Sequence, residues 1–218
     1  MSKRIIIILC IALLAVSFAS ARVINISIGP SIGFFTGKAQ IDENPAQAVE
    51  GFVYGADVAF DLTFGERAEV YIQNSFLFNT KNPYKGAVAG WVSEHNFATM
   101  DIKGHVGFEY AVLTAPVKLS VGAGASYEFI AVILENKMTP QTGRLDMIFN
   151  VGLGATVKAE YQLGRNFSAY AKAYIDYFPA TAAVSAPVPV PESYEPKYYG
   201  GNYSNFSVDG SVGIIFHF

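Results

Sequence analysis

Val117-Lys118-Leu119-Ser120-Val121-Gly122-Ala123-Gly124-Ala125-Ser126-Tyr127-Glu128-Phe129 is the stretch whose reading decides the fold. Every odd position is apolar or aromatic, and the even positions hold only Lys, Ser, Gly and Glu. Side chains two residues apart share one face of a β-strand. The stretch therefore reads as a strand with one apolar face. A helix would need apolar residues at three- and four-residue spacing.

The same alternation appears on both sides of it. Upstream, Ile24 to Phe34, Phe52 to Phe64, Val70 to Phe78 and Met100 to Val112 each place apolar residues on even positions. Downstream, Leu145 to Tyr161, Phe167 to Tyr177 and Phe206 to Phe218 repeat the pattern. No apolar-face position in these eight segments is charged, and Asn74 is the only amide there. The connections alternate in length. Those near Gly65–Ala68, Leu113–Pro116 and Gln162–Asn166 are short, whereas 37–50, 79–96, 133–143 and 178–205 are long.

Alternation fits a soluble barrel with its apolar face inward as well as a membrane barrel with that face outward. Composition and layout favour the membrane. Charged residues make up 15% of the chain, against about 25% in soluble domains. The polar face is rich in Gly and Ser, where a water-facing surface would carry more Lys and Glu. Aromatics such as Phe52, Phe64, Phe108, Tyr110, Tyr161, Phe167 and Phe216 gather near segment ends, as interfacial girdles do. Beyond residue 21, no apolar run approaches the length of a spanning helix, and in lipid only helices and closed barrels satisfy the backbone. The fold class expected is all-β: an eight-stranded antiparallel up-and-down transmembrane β-barrel.

Residues 1–21 stand apart. Lys3 and Arg4 precede an unbroken apolar run from Ile5 to Val16, and Ala19-Ser20-Ala21 supplies small residues at cleavage spacing. This reads as a secretory signal peptide cut after Ala21, which leaves 22–218 as one barrel domain. The only cysteine, Cys10, lies in that run, so the barrel has neither disulfides nor thiolate metal sites. Residues 22–218 hold 13 basic and 18 acidic side chains, a formal charge of −5. That balance gives nucleic acid no electrostatic footing.

The last segment ends Val212-Gly213-Ile214-Ile215-Phe216-His217-Phe218. Together with the strand count and the loop asymmetry, it makes the chain resemble the small outer-membrane barrels of the OmpA, OmpX and OmpW type. The resemblance covers Val23 to Phe218. It implies location in the outer membrane of a diderm bacterium, contact with outer-membrane lipid, and insertion by the barrel-assembly machinery. Val212, Ile214, Phe216 and Phe218 would be the assembly signal. An OmpW-type passage for small hydrophobic molecules is one activity it suggests, with Ala180, Ala182, Ala183, Val184 and Ala186 lining an apolar mouth.

The inward face is the first place to look for function. It carries Asp57, Asp61, Glu69, Asp101, Glu109, Glu128, Asp146, Glu160, Asp176 and Asp209 against Lys103, Lys118, Lys158 and Lys172. His105 and His217 are expected to join them toward the periplasmic half. Eight strands enclose just enough room for side chains, so the expected state is a packed polar network. A narrow acid-lined path is the alternative. Catalysis has little support. Ser93-Glu94-His95 is a loop tripeptide whose neighbours do not converge on one atom, and Glu135 and Asp146 flank a loop without a partner pattern. No metal-ligand spacing or cofactor motif stands out.

The long loops are the second place. Trp91 lies in one. The longest holds alternating Pro187, Pro189 and Pro191, then Tyr194, Tyr198, Tyr199 and Tyr203, an extended amphipathic surface suited to a surface ligand. The leading expectation is a non-enzymatic envelope barrel that presents binding loops. A solute passage is the alternative, and a lipid-modifying enzyme the third. Pro30 breaks the pattern, because it cannot donate a ladder hydrogen bond, and a bulge or bend is expected there.

Overall fold

The computed structural model describes residues 23–39, 47–85, 95–139, 142–189, 197–201 and 205–218. Ten strands form: β1 Val23–Ala39, β2 Gln47–Phe64, β3 Ala68–Asn79, β4 Tyr84–Lys85, β5 His95–Leu113, β6 Val117–Asn136, β7 Gly143–Gln162, β8 Phe167–Val188, β9 Lys197–Gly201 and β10 Asn205–His217. Eight of them close a ring in the order β1-β10-β8-β7-β6-β5-β3-β2 and back to β1, all pairs antiparallel. The short β4 and β9 are additions, paired with β2 and β8. Closure leaves the ring without a free edge, as a chain in lipid requires. The first and last strands meet at the seam, with Ile26 opposite Phe216 and Phe34 opposite Val208.

Three tight turns and both ends of the described chain lie at one rim, the turn end. The long connections lie at the other, the loop end. At the turn end Gly65, with φ of 67°, supplies the left-handed residue that a side chain with Cβ rarely adopts.

The outward face is the apolar one. Ile28, Ile32, Phe60, Phe76, Val121, Val157, Ile175 and Val212 are all exposed there. Asn74 does not contradict this. Its Oδ1 accepts a hydrogen bond of 2.7 Å from the Tyr127 hydroxyl, donated across the outside of β5. Gly104 lies between them, and a Cβ there would fall 2.2 Å from the Tyr127 ring. The lone lipid-facing amide thus has its partner because the strand between carries no side chain.

The expected bulge at Pro30 is absent. β1 runs straight through it, with Pro30 opposite Ala56 of β2. On the β10 side pairing lapses between Ile28–Ile214 and Ser31–Ser211, and the register is the same on both sides of the lapse. The reason is local: the imide nitrogen has no hydrogen to give to that neighbour. Gly29 and Gly213 let the two backbones close on each other, since a Cβ on either would lie 2.0–2.2 Å from a carbonyl oxygen of the other strand. The irregularities occur instead at Ala111/Leu113 of β5 and opposite Val151/Leu153, where Phe178-Pro179 of β8 is the bulged pair.

Several segments expected as loops are strand. β6 continues to Asn136, β7 starts at Gly143, and β8 runs to Val188. β6 and β7 are each 20 residues long. A tilted transmembrane strand needs about 9–11 residues, so each strand is roughly twice as long as a crossing requires.

Candidate functional site: a packed lumen in tiers

The inward positions place Gly and Ser between long polar side chains, and the small residues make the room. A Cβ on Gly122 would sit 2.6 Å from Glu109 Cγ, and one on Gly107 would sit 2.7 Å from the Tyr71 hydroxyl. The lumen fills in three tiers.

The turn-end tier balances three carboxylates against three lysines. Lys158 of β7 donates to Asp61 of β2 at 3.2 Å and to Glu69 of β3, and lies 3.0 Å from Glu109 of β5. Lys172 of β8 reaches Glu109 at 2.6 Å and sits 4.1 Å above the Tyr71 ring. Lys118 of β6 closes onto Glu69 at the mouth. Thr156 donates to Glu109 at 3.0 Å. Each pair joins strands that are not neighbours, so the tier ties the ring across its diameter.

Next to it, His217 holds the seam. Its Nε2 is 2.8 Å from Ser168 Oγ of β8, and its Nδ1 is 2.8 Å from Asn25 Oδ1 of β1. Glu160 lies 3.5 Å from Nε2. The Ser–His–Asn spacing resembles a nucleophile with its base, but Ser168 is 0% exposed, so no substrate reaches its hydroxyl.

The ionisable groups of the middle tier lie roughly seven to twelve residues along their strands from the turn end. Asp57 accepts from Gln73 at 2.8 Å and from the Tyr170 hydroxyl at 3.0 Å. Lys103 donates to both Asp209 oxygens at 2.8 and 2.9 Å, and lies 3.1 Å from Glu128 and 3.4 Å from Asp101. Asn150 donates to Glu128 at 2.6 Å and accepts from Thr181 and Asn205. His105 stacks on Tyr174 with ring centroids 4.4 Å apart, and its Nδ1 lies 3.4 Å from Asp176. His105 therefore lies in the middle tier, one position to the turn-end side of the midpoint of β5.

Above this the interior turns apolar, which the sequence reading missed. Phe35, Val49, Val53, Leu77, Phe97, Ile130, Val132, Leu134, Ile148 and Ala183 form one buried cluster inside the loop-end half. Tyr84 of β4 folds into it and donates to Asp146 at 2.8 Å, while Arg144 donates to the other Asp146 oxygen at 2.6 Å. Asp146 is thus partnered on both oxygens. The signal was present in Ile130-Ala131-Val132-Ile133-Leu134, a run apolar on both faces where the alternation gives way.

The expected apolar mouth is corrected in the same region. The bulge at Phe178-Pro179 shifts the face parity of β8, so Ala180 and Ala182 point outward and are exposed. Only Ala183 of that group is buried inside, beside inward Thr181 and Ser185. Val212, Phe216 and Phe218 are exposed on the outward face, and Ile214 shares it half-buried. Tyr198 and Tyr199 lie on β9 opposite Val184 and Ala183. The expected signal peptide, Trp91, Tyr194 and Tyr203 fall outside the described residues, as do Ser93 and Glu94.

A cavity of about 150 Å³ lies in the wall near the loop end. Inward Phe35 and Val53, outward Phe52, and Asn79, Pro83 and Thr99 line it. It forms because β2 pairs with β3 only as far as Tyr54–Phe78 and meets β4 at Val49–Tyr84, so Gly51–Val53 pair with β1 but have no strand on the β3 side.

Neither family models nor curated proteins match the sequence. Solved structures do match the fold. The outer membrane protein OprG from Pseudomonas aeruginosa aligns with a TM-score of 0.62 at 10% identity, over 91% of this chain and 97% of its own. A major outer membrane protein from Thermus thermophilus aligns with a TM-score of 0.56 at 16% identity, over 88% and 99%. With its closed ring, apolar outer face and filled polar lumen, the chain has the fold of the small eight-stranded outer-membrane β-barrels.

Proposed function

We propose that this protein is a non-enzymatic barrel of the outer membrane of a diderm bacterium, a rigid anchor that raises binding loops above the lipid. The observation that carries this reading is the apolar core inside the loop-end half. Strands that merely span a bilayer have no need of a further stretch with a dry interior of its own. Such a core stiffens a projecting wall and fixes the loops on it. The lumen supports the same reading, because Lys103, Asp101, Glu109, Asn150 and Asp176 are each 0% exposed, and a water-filled path would wet them. The buried state of Ser168 supports the absence of hydrolase chemistry. Outer-membrane lipid surrounds the barrel, and the assembly machinery engages its last strand.

The test replaces residues 190–196 with a Gly-Ser linker and leaves β8 and β9 intact. Cells displaying the variant should keep the folded barrel and lose adhesion to a host-cell layer or to neighbouring bacteria. Unchanged adhesion refutes loop presentation, and reproducible conductance of the purified barrel in planar bilayers refutes the filled lumen.

The wall cavity favours a second reading, a lateral passage for small apolar molecules. Its volume is close to that of an apolar cavity that accepts one benzene-sized guest, about 150 Å³. Val53→Arg should then abolish uptake of a small apolar fluorophore into vesicles carrying the barrel. Equal uptake by both proteins removes this reading.

A further inference from the structure

The two charged tiers differ in balance. Near the turns three lysines meet three carboxylates, whereas in the middle tier Asp101, Glu128 and Asp209 share Lys103, and Asp176 faces His105. These six side chains are 0–3% exposed. Buried charge without a counter-charge is costly, so this tier calls for more positive charge than its lysine brings. A second observation says where. His105 of β5 reaches across the lumen to Asp176 of β8, with Nδ1 3.4 Å from Oδ1. Asp209 of β10 adds a carboxylate oxygen, so the three donor atoms lie within 4.8 Å of one another. Asp176 Oδ1 and His105 Nε2 are buried and make no hydrogen bond among the described residues.

We propose that His105, Asp176 and Asp209 bind one divalent transition-metal cation of the Zn²⁺ type inside the barrel. One imidazole with two carboxylates suits zinc better than calcium or magnesium, which prefer oxygen alone. Ligands held about 2.0–2.2 Å from a tetrahedral ion lie roughly 3.3–3.6 Å apart. A pair at the 4.8 Å limit must therefore close by roughly 1.2–1.5 Å through side-chain rotation. Lys103 does not block the site. It takes two of the roughly four lone pairs of Asp209 and leaves the others for the ion. The dication offsets two of the tier's excess negative charges and cross-links β5, β8 and β10.

The experiment uses the full barrel refolded in detergent, stripped with chelator, and loaded separately with Zn²⁺, Mn²⁺ and Ca²⁺. After desalting, elemental analysis should find about one Zn²⁺ per chain, with a higher urea midpoint than the stripped protein. Asp176→Asn and His105→Gln should each lose the ion and the shift. Retention of no ion overturns the proposal and leaves the carboxylates to hold protons. Retention of Ca²⁺ in preference to Zn²⁺ overturns the imidazole ligand, and full retention by both variants overturns the location. Should the variants fail to fold, Co²⁺ loaded into the unmodified barrel decides. Ligand-field bands distinct from the aqueous ion support the site, and an aqueous spectrum refutes it.

Discussion

Replacing Lys158 with methionine tests whether the barrel is braced across its lumen. Met matches much of the lysine stem, so packing changes little and the ammonium is what is lost. That ammonium, 3% exposed, serves Asp61, Glu69 and Glu109 from three other strands. After the substitution three buried carboxylates face only Lys118 and Lys172, and Asp61 loses its ion-pair partner among the described residues. Removing one member of a buried pair costs about 3–5 kcal/mol, because the other charge stays buried and uncompensated. At 1.4 kcal/mol per factor of ten, the folding equilibrium should fall by roughly two to three and a half powers of ten. A urea titration of the barrel in phospholipid vesicles, followed by far-ultraviolet circular dichroism, measures it. Adding Asp61→Asn to Lys158→Met restores the balance and should recover most of the loss. A single-variant cost under about 1 kcal/mol, where an exposed pair would fall, refutes the bracing. So does a double variant no more stable than the single.

Tyr127→Phe should cost about 1–3 kcal/mol, because it leaves the Asn74 amide unpaired in lipid. Adding Asn74→Val should reverse that in the same titration, and failure to reverse it would remove the hydrogen bond as the cause. Tyr84→Phe removes a hydrogen bond to a charged acceptor, about 1.5–3 kcal/mol, and should loosen the cap over the lumen. Amide exchange at Val49 and Tyr84 should rise while exchange in the turn-end tier stays slow; equal protection in both proteins argues against a cap. Phe218→Ala should slow assembly in cells, read as appearance of the heat-modifiable form, and leave refolding of the purified chain unchanged. Equal rates in cells would mean that the terminal Phe is no signal.

Much of the fold was written in alternation. Period two fixes which residues share a face, and the paucity of charge on both faces places the apolar one in lipid, so the ring and the membrane followed from the sequence. The inward charges Asp57, Asp61, Glu69, Lys103, Glu109 and Lys172 followed by the same parity, as did the outward set ending at Phe218. Parity says nothing about partners across the lumen. Lys158 finds Glu69 and Asp61 because ring closure brings β7 opposite β2 and β3, residues about 90 positions apart in the chain. For the same reason only the closed ring shows that one charged tier is balanced and the next is not. Parity also fails where its premise does. The Phe178-Pro179 bulge inverts it in β8, and a stretch apolar on both faces, such as Ile130 to Leu134, carries no alternation to read. There the sequence determined only that the residues are apolar, and the tertiary structure alone decided that Ile130, Val132 and Leu134 fill the inside of the wall while Ile133 is exposed, because the pleat turns alternate side chains to opposite faces of the closed ring.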